Sequence, residues 1–508
     1  MCYFNWLGHP TRHFNVGQYR RMQAHGEVQD ASFFDPSNPE GNVARARALH
    51  AALEDMETWL NGDSAQVAIF DATNSTSERR NFLKGRLHGR FEYMFLESVC
   101  EDQVVLEKNY RLKMKYSPDY KGVEMEKALE DFRERISKYE AVYETISDRS
   151  LHYVKLINMV TGRGYMDVNR ISGYLPGKMV FFLMQICKAL GRARRIWLTR
   201  HGESLYNTQG KIGGNSLLSI RGSAYAQLLP QVLESRIPSV GGKKVPVAVW
   251  TSTLARTIET AGPLPYPKVQ WKALDEIQAG ICDGMTYSEI NEKMPEEHEM
   301  RQRDKLRYRY PSGESYMDVI QRLEPVVIEV ERDRECICIV AHQAVLRALY
   351  GYFMNRNLQV RIASCVSNAC LGCTWILLII GFSFLTQEVP TIEVPLHTLL
   401  ELTPKADGTM AETRFHVDVD RALREMEWIQ HAESVKDFNY TMEKASSDPD
   451  LSSPSLAVLE EEKEIPSSFP GSDSGGFRRT VSMAELAASE LVVAREIHSN
   501  KGNQDTYS

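Results

Sequence analysis

Apolar runs alternate with amphipathic stretches through the first 190 residues. Strands are predicted at 67–70, 93–97, 151–157 and 165–169, where apolar residues cluster. Helices are predicted at 77–87, 123–142 and 174–190, with the basic side chains of the first facing solvent. Strands that alternate with helices favour a parallel sheet covered on both faces. We therefore predict a first three-layer α/β domain over 1–190.

The same alternation continues in the next two hundred residues. Strands are predicted at 195–199, 247–251, 336–341 and 391–402, with helices between them such as 315–332. This pattern predicts a second three-layer α/β domain over 191–403. From 404 to 508 the composition shifts to Ser, Glu, Pro and Gly, which is typical of a disordered, low-complexity tail.

An apolar segment at 360–387 interrupts the second domain. From Ile362 to Gln387 it carries no charge, and by length and hydropathy it fits a membrane span. It lacks flanking basic clusters and lies inside a folded pattern, so we do not expect a membrane protein. The segment begins with Val, whose codons begin GT, and ends with Gln, which the codon CAG encodes. GT at the start and AG at the end are the edges of an intron. We therefore interpret the segment as a retained intron or a gene-model error, and otherwise as a loop prone to aggregation.

The composition of the chain disfavours nucleic acids as general partners and disfavours a metal site. The chain has 508 residues, 43% hydrophobic and 25% charged, with a formal net charge of −7. A negative chain has no general affinity for nucleic acid, so phosphate binding would have to be local. Nine cysteines occur without metal-ligand spacing, which favours the reducing cytoplasm and predicts no metal site.

Polar side chains that suit phosphoryl transfer follow the predicted strands of the second domain. They are Arg200 and His201 after the strand at 195–199, Arg256, Glu276, and His342 after the strand at 336–341. The carboxyl ends of parallel strands meet at one edge of a sheet, where α/β folds bind ligands. A neutral histidine, positive groups around a phosphoryl group and a carboxylic acid form the inventory of a phosphohistidine mechanism.

Longer motifs resemble a known family. Arg200-His201-Gly202-Glu203, Gly210-Lys211-Ile212-Gly213-Gly214 and 341–347 look like the histidine phosphatase superfamily. More narrowly, 271–276, 308–316 and 321–325 resemble the bifunctional 6-phosphofructo-2-kinase/fructose-2,6-bisphosphatase family. In the first domain 3–8, 14–21, 70–74 and 117–120 resemble the kinase half of that family. The resemblance covers 3–403 apart from the insert.

The resemblance implies roles for the second domain. His201 would be the nucleophile, Glu276 the general acid, and Arg200, Arg256 and His342 the groups that stabilise the transferring phosphoryl group. The implied substrate-binding residues are Asn207, Gly213, Tyr287, Arg301, Lys305, Tyr316, Gln343 and Arg347. Because Arg301 and Lys305 are four residues apart, on a helix they would share a face that can meet a phosphate dianion.

For the first domain the resemblance makes Asp71 the catalytic aspartate and Cys100 its active-site neighbour. The implied fructose 6-phosphate contacts are Arg20, Arg45, Thr73, Arg79, Arg135 and Tyr139. The family binds ATP and Mg²⁺ in this half through a G-x-x-x-x-G-K-[ST] loop between its first strand and first helix. The sequence has no such motif, so we expect the domain to be an incomplete P-loop kinase-like fold with kinase activity lost or impaired.

The expected function is hydrolysis of the 2-phosphate of fructose 2,6-bisphosphate through a phosphohistidine, without a cofactor. One alternative is a broader sugar-phosphate phosphatase or phosphoglycerate mutase, which Tyr287 and the Arg301/Lys305 pair disfavour. Another is a non-catalytic isoform that binds sugar phosphate or pairs with a full-length subunit. The family implies a homodimer. Arg478-Arg479-Thr480-Val481-Ser482 has the spacing that a basophilic protein kinase needs for phosphorylation at Ser482.

Overall fold

The computed structural model describes residues 1–24, 29–159, 164–185, 194–333, 335–356, 358, 360–361, 385–386, 388–405, 409–424 and 490–494. The chain divides into two units, one of Met1–Val417 with Ser482–Ser508 and the other of Asp418–Val481. Both sheets lie in the first unit. Most of the apolar insert and the whole phosphorylation motif at 478–482 lie outside the described residues.

The strands of the described residues form two six-stranded sheets and two sheets of two strands each. They are β1 (Thr11–Asn15), β2 (Val67–Asp71), β3 (Glu92–Val99), β4 (Tyr153–Ile157), β5 (Tyr165–Asn169), β6 (Ile196–Arg200), β7 (Ser239–Val240), β8 (Lys243–Lys244), β9 (Val247–Thr251), β10 (Lys268–Gln270), β11 (Cys336–Ala341), β12 (Val360–Arg361), β13 (Leu385–Thr386), β14 (Thr398–Pro404), β15 (Met410–His416) and β16 (Glu490–Ala494). β12 and β13 pair with each other, as do β7 and β8.

The helices cover the faces of the two sheets. They are α1 (Cys2–Trp6), α2 (Val16–Gln23), α3 (Pro39–Leu60), α4 (Ser77–Leu87), α5 (Gln103–Tyr116), α6 (Met125–Glu140), α7 (Tyr174–Gln185), α8 (Leu205–Thr208), α9 (Ile220–Glu234), α10 (Ala255–Ala261), α11 (Tyr287–Lys293), α12 (Pro295–Arg303), α13 (Tyr316–Arg332) and α14 (Gln343–Phe353). Among the described residues, no helix is long and apolar enough to cross a membrane.

The predicted α/β class with parallel-sheet cores is confirmed. The first sheet has the order β1-β2-β16-β3-β4-β5, and the second has the order β10-β9-β11-β6-β14-β15. In the second sheet β10, β9, β11 and β6 are parallel, and β14 and β15 add to it antiparallel. Every residue of β11 is buried, as expected for the centre of a sheet with both faces covered.

Some predicted bounds differ from the structure. The strand predicted at 391–402 begins only at Thr398, because Val389–Thr391 forms a 3-10 turn and Pro395 has no N–H to donate to a ladder. Helix α4 has the predicted bounds, but its Arg80 is buried and donates to the Asn74 carbonyl at 3.0 Å. The prediction that all basic side chains of α4 face solvent is therefore wrong for Arg80.

Two strands lie beyond the predicted start of the tail at 404. β15 pairs with β14 in an antiparallel ladder from Met410 to His416. β16 lies between β2 and β3 in the first sheet and runs antiparallel to both, with Glu490 opposite Asp71 and Ala494 opposite Val67. Tail composition did not reveal either strand, because each is specified by its ladder partner elsewhere in the chain.

Candidate active site

Three strand ends of the second sheet bring the predicted catalytic residues together. Ala341 of β11 lies opposite Arg200 of β6 in a parallel ladder, and Val340 lies opposite Thr251 of β9. The residues that follow these strands therefore leave the sheet at the same edge. His201 and His342 are two of them, and their ring centroids are 5.1 Å apart.

His201 is held in one tautomer by the backbone. Its side chain is 3% exposed, and Nδ1 lies 2.7 Å from the Gly202 carbonyl oxygen. Because a carbonyl only accepts, Nδ1 carries the hydrogen and Nε2 keeps its lone pair in the neutral ring. Burial, and then the positive charges of Arg256 and Arg200, lower the pKa of His201 well below its usual value. The imidazole is therefore neutral at pH 7, with Nε2 carrying its lone pair.

Two buried guanidinium groups lie beside His201. Burial lowers the pKa of Arg200 to about 10, although the Glu276 carboxylate opposes that shift. Among the described residues the buried Nε of Arg200 has no hydrogen-bond partner. Arg256 donates from Nη1 to the Gly214 carbonyl at 2.7 Å. A buried donor without a partner is costly, so an anion in the cavity would stabilise Arg200.

His342 is fully buried and both of its ring nitrogens are engaged. Nδ1 accepts from Nε of Arg256 at 3.2 Å, and Nε2 donates to the Ser252 hydroxyl at 2.8 Å. Burial, and then Arg256 and His201, lower the pKa of His342 well below its usual value. As placed, His342 contacts Arg256 directly and lies behind the residues that line the cavity.

Glu276, predicted as the general acid, has one carboxyl oxygen held by the backbone. Its Oε1 accepts from the backbone N–H groups of Ile277 at 3.0 Å and Ala344 at 3.3 Å. The carboxyl group lines the same cavity as His201 and interacts electrostatically with Arg200 and Arg256. Its two backbone donors hold one oxygen in place, so the other oxygen can face a leaving group.

Nearly all the predicted catalytic and substrate-binding residues of this half line a cavity of about 260 Å³. Besides Arg200, His201, Arg256 and Glu276, its lining includes Asn207, Gly213, Tyr287, Arg301, Lys305, Tyr316, Gln343 and Arg347. Sequence reasoning missed several lining residues, namely Ser204, Tyr206, Lys211, Tyr308 and Tyr310. The position of Lys211 inside the glycine-rich stretch 210–214 could have identified it as a cavity residue.

Two of these residues have roles set by the local backbone. Asn207 forms a capping box with Ser204 at the start of α8, and its Oδ1 accepts from the Ser204 N–H at 3.0 Å. Gly213 has a φ of +67°, and a Cβ at this position would lie 1.8 Å from Oδ1 of Asp283. A side chain at 213 would therefore be strained and would also clash.

A second group of cations lines the cavity. Arg301 donates to the Tyr287 hydroxyl at 3.0 Å, and Arg347 donates to the Tyr316 hydroxyl at 3.0 Å. Burial, and then Arg347 and Arg301, lower the pKa of Lys305 to about 8. Arg301 and Arg347 therefore lie close enough to Lys305 for like charges to contribute to the lowered pKa.

The prediction that Arg301 and Lys305 share a face of one helix is wrong. Helix α12 ends at Arg303, and Asp304 leaves the helical region with a φ of −143°. Lys305 therefore lies outside the helix and donates to the Pro390 carbonyl at 3.2 Å. Both side chains nevertheless line the cavity, because the turn at Asp304 directs the chain back toward it.

In the first half, four of the predicted sugar-phosphate contacts cluster around a fifth, Tyr139. Burial raises the pKa of Tyr139, and the charges of Arg45, Arg135, Arg20 and Arg79 oppose that shift. Arg20 and Arg135 are held by Asp119, at 2.8 Å and 3.6 Å. Arg135 also lies 3.8 Å over the Phe34 ring, and its buried Nε has no partner among the described residues. Thr73, the sixth, lies two residues past the end of β2.

Asp71 and Cys100 lie at the same edge of the first sheet, because Asp71 is the last residue of β2 and Cys100 directly follows β3. The Asp71 carboxylate accepts from Nδ2 of Asn15 at 2.5 Å and pairs with Nε2 of His13 at 3.2 Å. Burial raises the pKa of the Cys100 thiol, so it is not an activated nucleophile.

ATP and magnesium are the groups that the resemblance implies for this edge. In the described residues, no cluster of three His, Cys, Asp or Glu side chains is arranged to hold a metal ion. Between β2 and β3 lies β16, whose first residue Glu490 is opposite Asp71. β16 runs antiparallel to β2, so its last residue, Ala494, lies at the opposite edge of the sheet from Asp71. The described residues do not fit a phosphate cradle for ATP.

In a comparison with known proteins, each half of the chain matches a family model. The family model described as 6-phosphofructo-2-kinase matches residues 1–189, and the one described as histidine phosphatase superfamily (branch 1) matches residues 196–374. Among solved structures, Bacillus stearothermophilus YhfR is 24% identical with a TM-score of 0.34, over 45% of this chain and 99% of that one. A score that low supports no argument.

Curated relatives match both halves together. A 6-phosphofructo-2-kinase/fructose-2,6-bisphosphatase from Arabidopsis thaliana is 48% identical over 80% of this chain, which spans only half of that relative's length. The relative of the same name from Gallus gallus is 42% identical over 81% of this chain and 80% of its own length. A match of that extent covers both sheets, so the chain belongs to the bifunctional 6-phosphofructo-2-kinase/fructose-2,6-bisphosphatase family.

Proposed function

We propose that this chain hydrolyses the 2-phosphate of fructose 2,6-bisphosphate through a phosphohistidine on His201. The observation that carries the proposal is the neutral, buried His201, whose Nδ1 is committed to Gly202 and whose Nε2 keeps a lone pair in a cavity lined by arginines. The second cation group of Arg301, Lys305 and Arg347 gives the cavity a place for a second phosphate. A bisphosphorylated sugar matches two groups of cations.

In the first step the Nε2 lone pair of His201 attacks phosphorus, and the bond from phosphorus to the sugar oxygen breaks. Glu276, in its protonated form, gives its proton to that oxygen, and fructose 6-phosphate leaves. In the second step water attacks the phosphohistidine, the P–N bond breaks and Glu276 takes a proton from the water. Arg200 and Arg256 stabilise the charge on the phosphoryl oxygens in both steps.

We also propose that the first half keeps its sugar-phosphate pocket but has lost or reduced kinase activity. Arg20, Arg79 and Arg135 around Tyr139 support the pocket. Two observations support the loss of kinase activity. The sequence has no G-x-x-x-x-G-K-[ST] motif, and β16 runs antiparallel to β2 in the first sheet. Formation of the bisphosphate from ATP and fructose 6-phosphate by the purified chain would overturn this second proposal.

Trapping of the intermediate tests the phosphatase. The purified chain is incubated with fructose 2,6-bisphosphate labelled at the 2-phosphate and quenched in alkali, in which phosphohistidine survives. We expect acid-labile label on the wild type and on a His298→Ala control, because His298 lies on α12 outside the cavity lining. We expect none on His201→Ala.

Absence of label on a folded wild-type chain would refute the phosphatase proposal. In that case, binding of fructose 2,6-bisphosphate without turnover would support the alternative of a non-catalytic, sugar-phosphate-binding isoform. Sedimentation of the same sample would test the implied homodimer, and fractionation would test the expected cytoplasmic location. Incubation with a basophilic protein kinase, followed by mass spectrometry, would test phosphorylation at Ser482.

A further inference from the structure

One peptide unit connects His201 to a third histidine. The Gly202 carbonyl accepts from Nδ1 of His201 at 2.7 Å. The N–H of the same peptide group, which belongs to Glu203, donates to Nε2 of His397 at 3.1 Å. The imidazoles of His201 and His397 are thus joined through a single peptide bond.

The other polar groups of this backbone segment are also held. The Gly202 N–H donates to the Thr260 hydroxyl at 2.9 Å, and the Glu203 carbonyl accepts from the Ser219 N–H at 2.8 Å. A Cβ on Gly202 would lie 2.5 Å from the Gly222 carbonyl oxygen, so the segment is packed against the start of α9. His397 accepts the hydrogen bond from the other N–H of this segment, that of Glu203.

His397 is itself tightly constrained. It is 6% exposed and directly precedes β14, and its carbonyl accepts from the Val417 N–H at 2.9 Å. Its ring centroid lies 5.0 Å from that of Tyr225. Its φ is +53°, in the left-handed region that residues other than glycine rarely adopt. Backbone strain of this kind persists where the surrounding structure determines the conformation, and it clusters near functional sites.

The direction of the hydrogen bonds defines what His397 does. A backbone N–H only donates, so Nε2 of His397 must carry a lone pair. Accepting that bond fixes the plane of the Gly202–Glu203 peptide and polarises it, which makes the Gly202 carbonyl a better acceptor. The stronger acceptor then holds the Nδ1 hydrogen of His201 and keeps Nε2 free for attack.

We propose that His397 is a positioning residue for the nucleophile, which acts through the Gly202–Glu203 peptide to hold His201 in its reactive tautomer. This inference rests on the proposed phosphatase activity for its kinetic consequence. Its structural consequence, the tautomer of His201, exists whether or not the cavity turns over a substrate.

The matched substitutions are His397→Gln and His397→Leu. Glutamine places an oxygen acceptor near the position of Nε2, whereas leucine fills similar space without an acceptor. His416→Leu is the control, because His416 lies on the outer strand β15 and bonds only the Thr398 hydroxyl among its side-chain contacts in the described residues. Thermal unfolding of each variant establishes that it is folded.

Two measurements test the proposal. We expect His397→Leu to lower kcat on the order of 10- to 100-fold, the loss typical when the partner that orients a metal-bound imidazole is removed, with little change in KM. His397→Gln should recover most of that loss. Nitrogen NMR of histidine-labelled protein, with His201 assigned from His201→Ala, should show the Nδ1–H tautomer in wild type and a mixture in His397→Leu.

A folded His397→Leu variant with wild-type kcat and an unchanged His201 tautomer would overturn the inference. Failure of His397→Gln to restore either measurement, in a folded protein, would also overturn it. If the wild type forms no phosphohistidine, the proposed function fails, and the tautomer measurement alone decides the role of His397.

Discussion

At the scale of single residues, burial rather than residue type sets the chemistry of the cavity. Lys305 illustrates this, because its position after the end of α12 buries it beside Arg301 and Arg347. Together these effects lower its pKa to about 8, within the range of a normal pH profile. The Lys305 side chain therefore loses its charge at a moderately alkaline pH.

The pH dependence of catalysis follows from this lysine. A depressed lysine pKa means that Lys305 is charged below about pH 8 and neutral above it. We expect kcat/KM, which reports the free enzyme, to fall as the pH rises through about 8. Lys305→Arg should keep its charge and lose the decline, because even an arginine whose pKa is lowered by burial, as at Arg200 with a pKa of about 10, stays charged near pH 8. A decline of equal size in both proteins would contradict the assignment to Lys305.

At the scale of elements, the first sheet depends on a strand from the far end of the chain. β2 and β3 each pair along five residues with β16, and Ala68, Phe70, Met94 and Phe95 of these two strands are buried. Without β16, two buried rows of backbone N–H and C=O groups would lose their partners, which is costly. The contribution of β16 to stability therefore exceeds what its five residues suggest.

A proline tests the strand. Val492 lies opposite Ile69 and Met94, so Val492→Pro removes an N–H from the centre of the sheet. We expect the midpoint of thermal unfolding to fall by several degrees and the variant to aggregate more readily. Ser499→Pro, five residues past β16, is the control. Equal midpoints for Val492→Pro and wild type would show that β16 does not stabilise the sheet.

At the scale of the whole molecule, α1 joins the two halves. The Trp6 indole donates to the Ala348 carbonyl of α14 at 2.8 Å, and the Tyr3 hydroxyl donates to Glu324 of α13 at 2.5 Å. Lys178 of α7 also pairs with Glu324, at 2.5 Å. Buried residues of both halves form one hydrophobic cluster, so the stability of α14, which follows His342, depends on the first half.

Truncation of Trp6 tests this coupling. Trp6 is 1% exposed, and Trp6→Ala should cost about 3–5 kcal/mol through the cavity that it leaves. We expect hydrogen exchange of α14 amides to accelerate and phosphatase activity to fall. Trp59→Ala is the matched control, because Trp59 packs on the separate cluster around Phe14. Unchanged protection of α14 in Trp6→Ala would show that the halves are independent.

Much of the site could be predicted from local pattern. The strands that end at Arg200 and Ala341 are short apolar runs, and parallel strands place the next residues at one edge, so His201 and His342 were expected to meet. The orientation of the His342 ring toward Arg256 and Ser252 could not be predicted, because it depends on hydrogen bonds between residues about ninety positions apart. The same reason hid β16, whose partners lie some four hundred residues away.

The sequence by itself determined the family, the central strands that end at the cavity and the residue types that converge on it, since these depend on periodicity and on motifs of a few residues. Only the tertiary structure decided that Lys305 lies outside its helix, that β16 fills the first sheet and that His397 accepts from Glu203. Those features depend on groups that approach across long stretches of chain, and no local pattern records such distances.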